Sequence, residues 1–386
     1  MIKAYRKRQE LLPSSGLPKR AIDRRAFLKS AGTGALGAAV LGASGLGRAS
    51  AAGGPAALAL VGCAHIHTPS YIGLLKKRED VRVKYVWDHD RARGLRRAGE
   101  LGAKFVSNDG DIWSDKDVAG AVICAETNRH RDLVLAGAKA GKAMFVEKPL
   151  GTTALESYEM AAAIGKAGKP FTTGYFMRTL PHYLFLKEQI VQGHFGTITR
   201  VRGSNCHEGS LGGWFDGEWR WMADPKIAGV GAFGDLGTHA LDIMMWLIGD
   251  VEAVAADIRA VTHRYADCDE TGEALLKFGG GTIGTLAAGW VDVANPVTFL
   301  ISGTEGHAAI IRDELYFACK KVEGADGITP WRALPAALPA PLDQFVDAVL
   351  GKPAPALVAP RDAAARVSVM EAAYTASTKR TWVEPA

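Results

Sequence analysis

The sequence predicts an α/β protein: a doubly wound parallel sheet comes first, and an α+β unit with an open, mainly antiparallel sheet follows. Two observations carry this. From Ala57 onward, short apolar β-rich runs alternate with longer helical ones, the rhythm of a parallel sheet covered on both faces. After Thr173 the apolar runs follow one another across turn residues with few helices between them, which favours antiparallel pairing.

The first unit reads in order. ALALVGC is a buried strand, VRVKYVWD a second strand ending at Asp88, and RARGLRRAGELG a helix. VAGAVICA, RDLVLAGAKAG, AMFVEKP and ESYEMAAAIGKAG continue strand, helix, strand, helix up to PFTTGYF. In the second unit TITRVRGSNCH, VEAVAADIRAVTH, GEALLKF, TIGTLAAGWVD, VTFLISGT, AAIIRD and ELYFACK read as strands. One helix, DLGTHALDIMMWLIGD, interrupts them early, and PLDQFVDAVLG and PRDAAARVSVMEAAYTAST are helices at the end. The resulting division is residues 1–51 as a leader, 52–173 as the parallel-sheet domain and 174–386 as the open-sheet domain.

The leader is an address. Arg24-Arg25, Phe27-Leu28-Lys29, a Gly/Ala-rich apolar run and Ala49-Ser50-Ala51 match a twin-arginine export signal with a cleavage-like end. Six glycines between Ala31 and Gly47 make a poor spanning helix, so export in the folded state to the periplasm is the expectation. Residues 1–51 hold ten Lys/Arg against two Asp/Glu, so the leader carries +8 and the rest 5 − 8 = −3. A chain without a basic body gives no support to nucleic-acid binding. Its five cysteines have no paired spacing, which is poor material for a disulfide framework.

Ligands of an open parallel sheet bind beyond the carboxyl ends of its strands. The first strand ends in Gly62-Cys63-Ala64-His65-Ile66-His67, where only the first glycine of a GxGxxG phosphate turn stands and Ala64 and His67 take the other places. Asp88, 26 residues after Gly62, is placed to accept the hydroxyls of an adenine ribose, which favours NAD; Arg91 and Arg93 leave NADP open. His65 and His67 have a rival use as an HxH zinc pair in a metal-dependent hydrolase, which requires further ligands at later strand ends. Lys148, in VEKPLG, stands between a strand and a turn with Pro149 behind it, held where an ammonium can bond a substrate hydroxyl. Asp235 and His239 lie four apart in GVGAFGDLGTHALD, hence on one helix face, and an imidazole there can take the proton of an alcohol being oxidised.

Taken together, VEKPL, GxGAxxDxGTHxxD, Asp88, the NRH of Asn128 to His130, GTEG at Gly303 to Gly306 and the ending EAAYTASTKRTWVEP resemble the Gfo/Idh/MocA family, named for glucose-fructose oxidoreductase and inositol dehydrogenase. The similarity implies a Rossmann domain, a C-terminal open-sheet domain that supports homo-oligomers, and action on sugars, glycosides or polyols. It also implies that Lys148 positions substrate and nicotinamide, that His239 is the acid/base and that Asp235 aligns it. Cofactor contacts then fall to Gly62, Ala64, His65, His67, Asp88, Asn128, His130, Glu147 and Lys148. Substrate contacts fall to Tyr175, Arg178, Trp219 and His239, and no structural metal is expected. The sequence departs from the family at Ala64 and His67, and at Glu126-Thr127 where a Thr-Pro pair is usual. Trp214, Trp219 and Trp221 offer faces on which sugar rings stack.

Outside the cytoplasm no pool of soluble dinucleotide is replenished, so an exported dehydrogenase is expected to carry its NAD tightly bound through the twin-arginine translocase. Two chemistries restore such a cofactor: exchange of hydride with a second sugar, or transient oxidation, elimination, water addition and re-reduction, which is net glycoside hydrolysis.

Overall fold

The computed structural model describes residues 54–386, and the leader read in residues 1–51 lies outside them. Strands β1 (Ala56–Cys63), β2 (Val81–Trp87), β3 (Lys104–Phe105), β4 (Val118–Cys124), β5 (Ala143–Val146) and β6 (Phe171–Thr173) form one sheet in the order β3-β2-β1-β4-β5-β6. Every pair in it is parallel. Helices cover both faces, so the central strands are apolar throughout: Leu58, Ala59, Leu60 and Val61 are all buried. The strand order reverses between β1 and β4, and that reversal opens a crevice beyond their carboxyl ends.

Local chemistry sets the helix limits. Asp90 caps the Arg91–Leu101 helix by accepting from Arg93 N at 3.0 Å. Thr153 does the same for the Ala154–Ala167 helix by accepting from Glu156 N, while the Glu156 carboxylate accepts from the Thr152 hydroxyl at 2.6 Å, and Gly168 ends the helix in the left-handed region.

The second sheet holds β7 (Ile198–Cys206), β8 (Val251–Arg259), β9 (Thr271–Phe278), β10 (Ile283–Gly289), β11 (Val297–Gly303), β12 (Gly306–Ile311), β13 (Glu314–Cys319) and β14 (Asp326–Pro330). Its order is β14-β13-β12-β11-β7-β10-β9-β8. All pairs are antiparallel except β7 with β10, so mainly antiparallel describes it. β9 alternates buried and exposed residues along its length, the mark of a sheet with one covered face. Sequence reading did not anticipate β14, whose DGITP carries a glycine and a proline, nor the helices Thr68–Leu75 and Pro181–Val191.

The covered face packs on the Ala232–Ile248 helix, almost every residue of which is buried. The two final helices tie the molecule together. Pro341–Val349 returns to the parallel sheet, where Leu342, Phe345 and Val346 pack with Leu58, Leu60 and Phe145. Pro360–Lys379 contributes Val367 to the parallel-sheet core and Met370 and Ala373 to the core of the second unit.

Candidate active site

Three strand ends of the parallel sheet and one helix of the second unit converge on the crevice. At the end of β1, Gly62 has φ +73°, and a Cβ there would lie 2.5 Å from the Cα of Ala125. Only glycine lets the turn after β1 lie against the turn after β4. Ala64 is fully buried, and its carbonyl accepts from Trp221 Nε1 at 3.1 Å, while His65 N donates to the Cys124 carbonyl at 3.0 Å. The loop is therefore fixed by both units.

After β5 come Glu147 and Lys148, both buried. Lys148 Nζ donates to Asp235 Oδ1 at 2.6 Å, and Trp290 Nε1 donates to Asp235 Oδ2 at 3.2 Å. The pair spans the two units: the lysine belongs to the parallel sheet, the carboxylate to the first turn of the Ala232–Ile248 helix. Burial pushes the Asp235 carboxyl up, but the Lys148 ammonium outweighs it and holds the group down at about 2.

His239, one turn further along that helix, is buried and lies edge-on to Tyr175 and Phe176, with ring centroids 5.9 and 5.2 Å away. Burial first, and the Lys148 ammonium second, push its pKa well below the ordinary range, so the imidazole is neutral. Its Nδ1 is buried with no hydrogen-bond partner. Asp235 spends both oxygens on Lys148 and Trp290 and makes no hydrogen bond to His239; it acts on that ring through charge alone. A narrow cleft lined by His65, Lys148, Pro149, Trp221 and Asp235 opens beside the pair.

The structure also assembles the ligands that a metal would need. His65, His67 and Glu147 offer atoms within 4.8 Å of one another. These atoms already satisfy each other. Glu147 Oε1 accepts from Tyr71 OH and from His67 Nδ1 at 2.9 Å, Glu147 Oε2 accepts from Lys148 N at 2.9 Å, and His65 Nδ1 accepts from His67 N at 3.2 Å. Burial drives His65 down to about 3, and the Lys148 charge acts on it in the same direction. The cluster is a hydrogen-bonded brace beneath Lys148.

The remaining sequence-predicted residues divide. Asp88 is buried at the end of β2, accepting from Cys63 N at 2.7 Å and from Arg93 in a two-bond fork at 2.8 and 2.8 Å. Asn128 is exposed on the turn after β4. His130 is enclosed, with its two ring nitrogens against the carbonyls of Leu150 and Ala125 at 3.1 and 3.1 Å, and so ties the turns after β4 and β5 together. Tyr175 is buried with its hydroxyl on Thr238 Oγ1 at 2.7 Å.

Arg178 forks onto Asp242 at 2.8 and 2.6 Å, and Arg366 joins that carboxylate at 2.9 Å. Its guanidinium is committed to holding the helix rather than presented to the cleft. Trp219 packs part-buried on the core of the second unit, whereas Trp221 lines the cleft and Trp214 is exposed, 4.7 Å from the His207 ring. Sequence reasoning missed Trp290 and Tyr71. Trp290 follows β10 directly, a strand-end position that could have flagged it.

The arrangement suits a nicotinamide dinucleotide: a glycine-sharpened turn after β1, a carboxylate after β2, and two orphaned buried polar atoms, Glu126 Oε2 and His239 Nδ1. Comparison with known proteins agrees. Residues 57–175 match the description "Oxidoreductase family, NAD-binding Rossmann fold", and residues 183–309 match "GFO/IDH/MocA C-terminal domain". The chain belongs to the Gfo/Idh/MocA oxidoreductase family.

Within that family, levoglucosan dehydrogenase of Pseudarthrobacter phenanthrenivorans is 29% identical over 234 residues, covering 54% of this chain and 60% of the relative. The NAD(+)-dependent scyllo-inositol 2-dehydrogenase of Bacillus subtilis is 26% identical over 228 residues, covering 57% of this chain and 64% of the relative. The chain thus spans less than two thirds of the length of these curated relatives. Among solved structures, levoglucosan dehydrogenase with NADH and L-sorbose aligns at a TM-score of 0.71 with 21% identity, covering 86% of this chain and 98% of that one. GenD2 from gentamicin A biosynthesis, in complex with NAD, aligns at 0.67 with 24% identity, covering 86% and 97%. At these identities the likeness is one of fold.

Proposed function

We propose that this Gfo/Idh/MocA protein is a nicotinamide-dependent dehydrogenase that oxidises a CH–OH group of a sugar, glycoside or polyol. The observation that carries the proposal is the cross-unit pair of Lys148 and Asp235, 2.6 Å apart, with the neutral His239 one helix turn on. Gly62, Ala64 and Asp88 are the residues that would hold the dinucleotide, whose nicotinamide accepts the hydride when bound. Lys148 supplies donors that orient the substrate oxygen. Asp235 keeps that ammonium in place, with Trp290 fixing the second carboxylate oxygen. His239 is uncharged and can therefore receive the hydroxyl proton; neither of its ring nitrogens hydrogen-bonds a protein group among the described residues, and Nδ1 is fully enclosed. Trp221 shields the site from water at the phosphate turn.

Export fits the same picture. The twin-arginine leader supports a periplasmic enzyme that leaves the cytoplasm folded, with NAD trapped in it. All five cysteines are free, consistent with folding before export. Exposed Leu275 and Ile283 on the open sheet support a homo-oligomer assembled through that face.

The test begins with denaturing the purified mature protein and measuring released dinucleotide, expected to be near one per chain. Incubation with sugars, inositols and anhydrosugars should then change the absorbance of bound NADH. Release of aryl aglycone with no net change in NADH would instead assign the redox-assisted glycosidase route. Apo-protein inert toward every CH–OH substrate at saturating NAD would overturn the dehydrogenase assignment.

A further inference from the structure

Asp88 belongs to a cluster in the crevice whose other members, Arg93 and Glu126, have no part in the proposed chemistry. Asp88 at the end of β2, Arg93 on the first turn of the following helix and Glu126 just past β4 lie on either side of the β1 end. Arg93 forks onto Asp88, and its Nη2 reaches Glu126 Oε1 at 2.9 Å. His89 Nε2 meets the same oxygen at 2.8 Å. The other oxygen, Glu126 Oε2, has no hydrogen-bond partner although the residue is only 6% exposed. Arg129 Nε lies 3.6 Å from it, an ion pair at a distance beyond hydrogen-bond reach. A buried carboxylate oxygen left unpaired is unfavourable, and a ligand hydroxyl donating to it would relieve that cost.

We propose that Glu126 makes this site select NAD over NADP: it ties down Arg93 and offers Oε2, beside Asp88, as a second acceptor for the adenosine ribose. The inference rests on the reading that the crevice holds a nicotinamide dinucleotide. The charge count decides its direction. Asp88 and Glu126 contribute two negative charges, offset by Arg93 and by the half-exposed Arg129 that pairs with Glu126 at 3.6 Å, so the Glu126 carboxylate is what keeps a 2′-phosphate from meeting a net positive site. With threonine or glutamine at position 126 the balance shifts to positive by one charge, and the guanidinium loses the second anchor that keeps it from turning to a phosphate. Burial pushes the Glu126 carboxyl up, but the hydrogen bond with His89 and the charge of Arg93 outweigh it, so the group stays ionised. Arg91, the other cation that left NADP open, lies over the Phe105 ring with its guanidinium carbon 5.4 Å from the centroid.

The experiment compares wild type, Glu126→Gln, Glu126→Thr and the double variant Glu126→Gln/Arg93→Ala. Each is exchanged against an equimolar mixture of NADH and NADPH, gel-filtered and denatured, and the released dinucleotides are quantified. Wild type should retain mostly NADH. Both single variants should lower the NADH-to-NADPH ratio about tenfold, through gained NADPH, and the double variant should lose that gain. Melting curves confirm folding, and two substitutions of different shape guard against one that misfolds. A ratio unchanged in both folded single variants overturns the inference alone. Wild type that retains neither dinucleotide, even with excess present, overturns the dinucleotide reading and this inference with it.

Discussion

Asp235→Asn removes one charge from the pair that joins the two units while keeping the side chain's shape. It leaves the Lys148 ammonium 3% exposed and facing a neutral partner. Breaking a buried pair in this way costs about 3–5 kcal/mol, less here because the amide oxygen still accepts one bond. A second figure comes from the carboxyl itself: held at about 2 rather than 3.8, it contributes about 2 kcal/mol. Together they place the loss at about 2–4 kcal/mol near neutral pH.

The pH dependence has a definite sign. The folded carboxyl is depressed, so the native state binds fewer protons than the unfolded chain between pH 3.8 and about 2. Its stabilisation is complete above that window and is lost as pH falls through it. Denaturant unfolding of wild type, Asp235→Asn, Lys148→Met and the double variant at neutral pH should show the double costing at least about 1 kcal/mol less than the two singles summed. The gap between wild type and Asp235→Asn should narrow on going to pH 3. Additive singles, together with a gap unchanged in acid, would refute the claim that this pair is what joins the units here.

Other outcomes follow from the same geometry. His239→Asn should lower turnover by about 10²–10⁴ while the dinucleotide released on denaturation stays the same; equal turnover would remove the histidine from the chemistry. The acid limb of kcat/KM against pH should fall below the ordinary imidazole value of 6.5, because burial and Lys148 both oppose protonation of His239; a limb at or above that value would contradict its being the base. Arg178→Met removes a two-bond fork from the buried Asp242, leaving it Arg366 alone, and should destabilise the protein by about 2 kcal/mol with KM unchanged in the folded enzyme; a large KM rise without destabilisation would return the arginine to substrate binding.

Much of the fold was legible because its periodicities are local. The strand ends carrying Gly62, Asp88 and Lys148 announce themselves by an apolar run that stops at a polar or glycine residue. The spacing of Asp235 and His239 likewise fixed one helix face. What sequence could not supply was partner choice. Nothing in DxxxH says that the aspartate's oxygens go to Lys148 and Trp290, because both partners come from other strands. Arg178 reads as a substrate contact until Asp242 and Arg366 are seen around it, and Glu126 reads as a departure until Arg93 is found across the crevice. Long-range ion pairs leave no period in the chain. β14 escaped for the opposite reason: a short edge strand needs little apolar surface, so glycine and proline are tolerated.

The return of Pro341–Val349 to the first sheet bears on the order of biosynthesis. Phe345 and its neighbours close one flank of a layer whose first strand leaves the ribosome almost three hundred residues earlier. A nascent chain halted at the end of β6 holds every strand of that layer yet leaves Phe145 and Leu60 without this cover. Cover of that flank is thereby deferred until residue 349 has been made, long after the last strand of the layer.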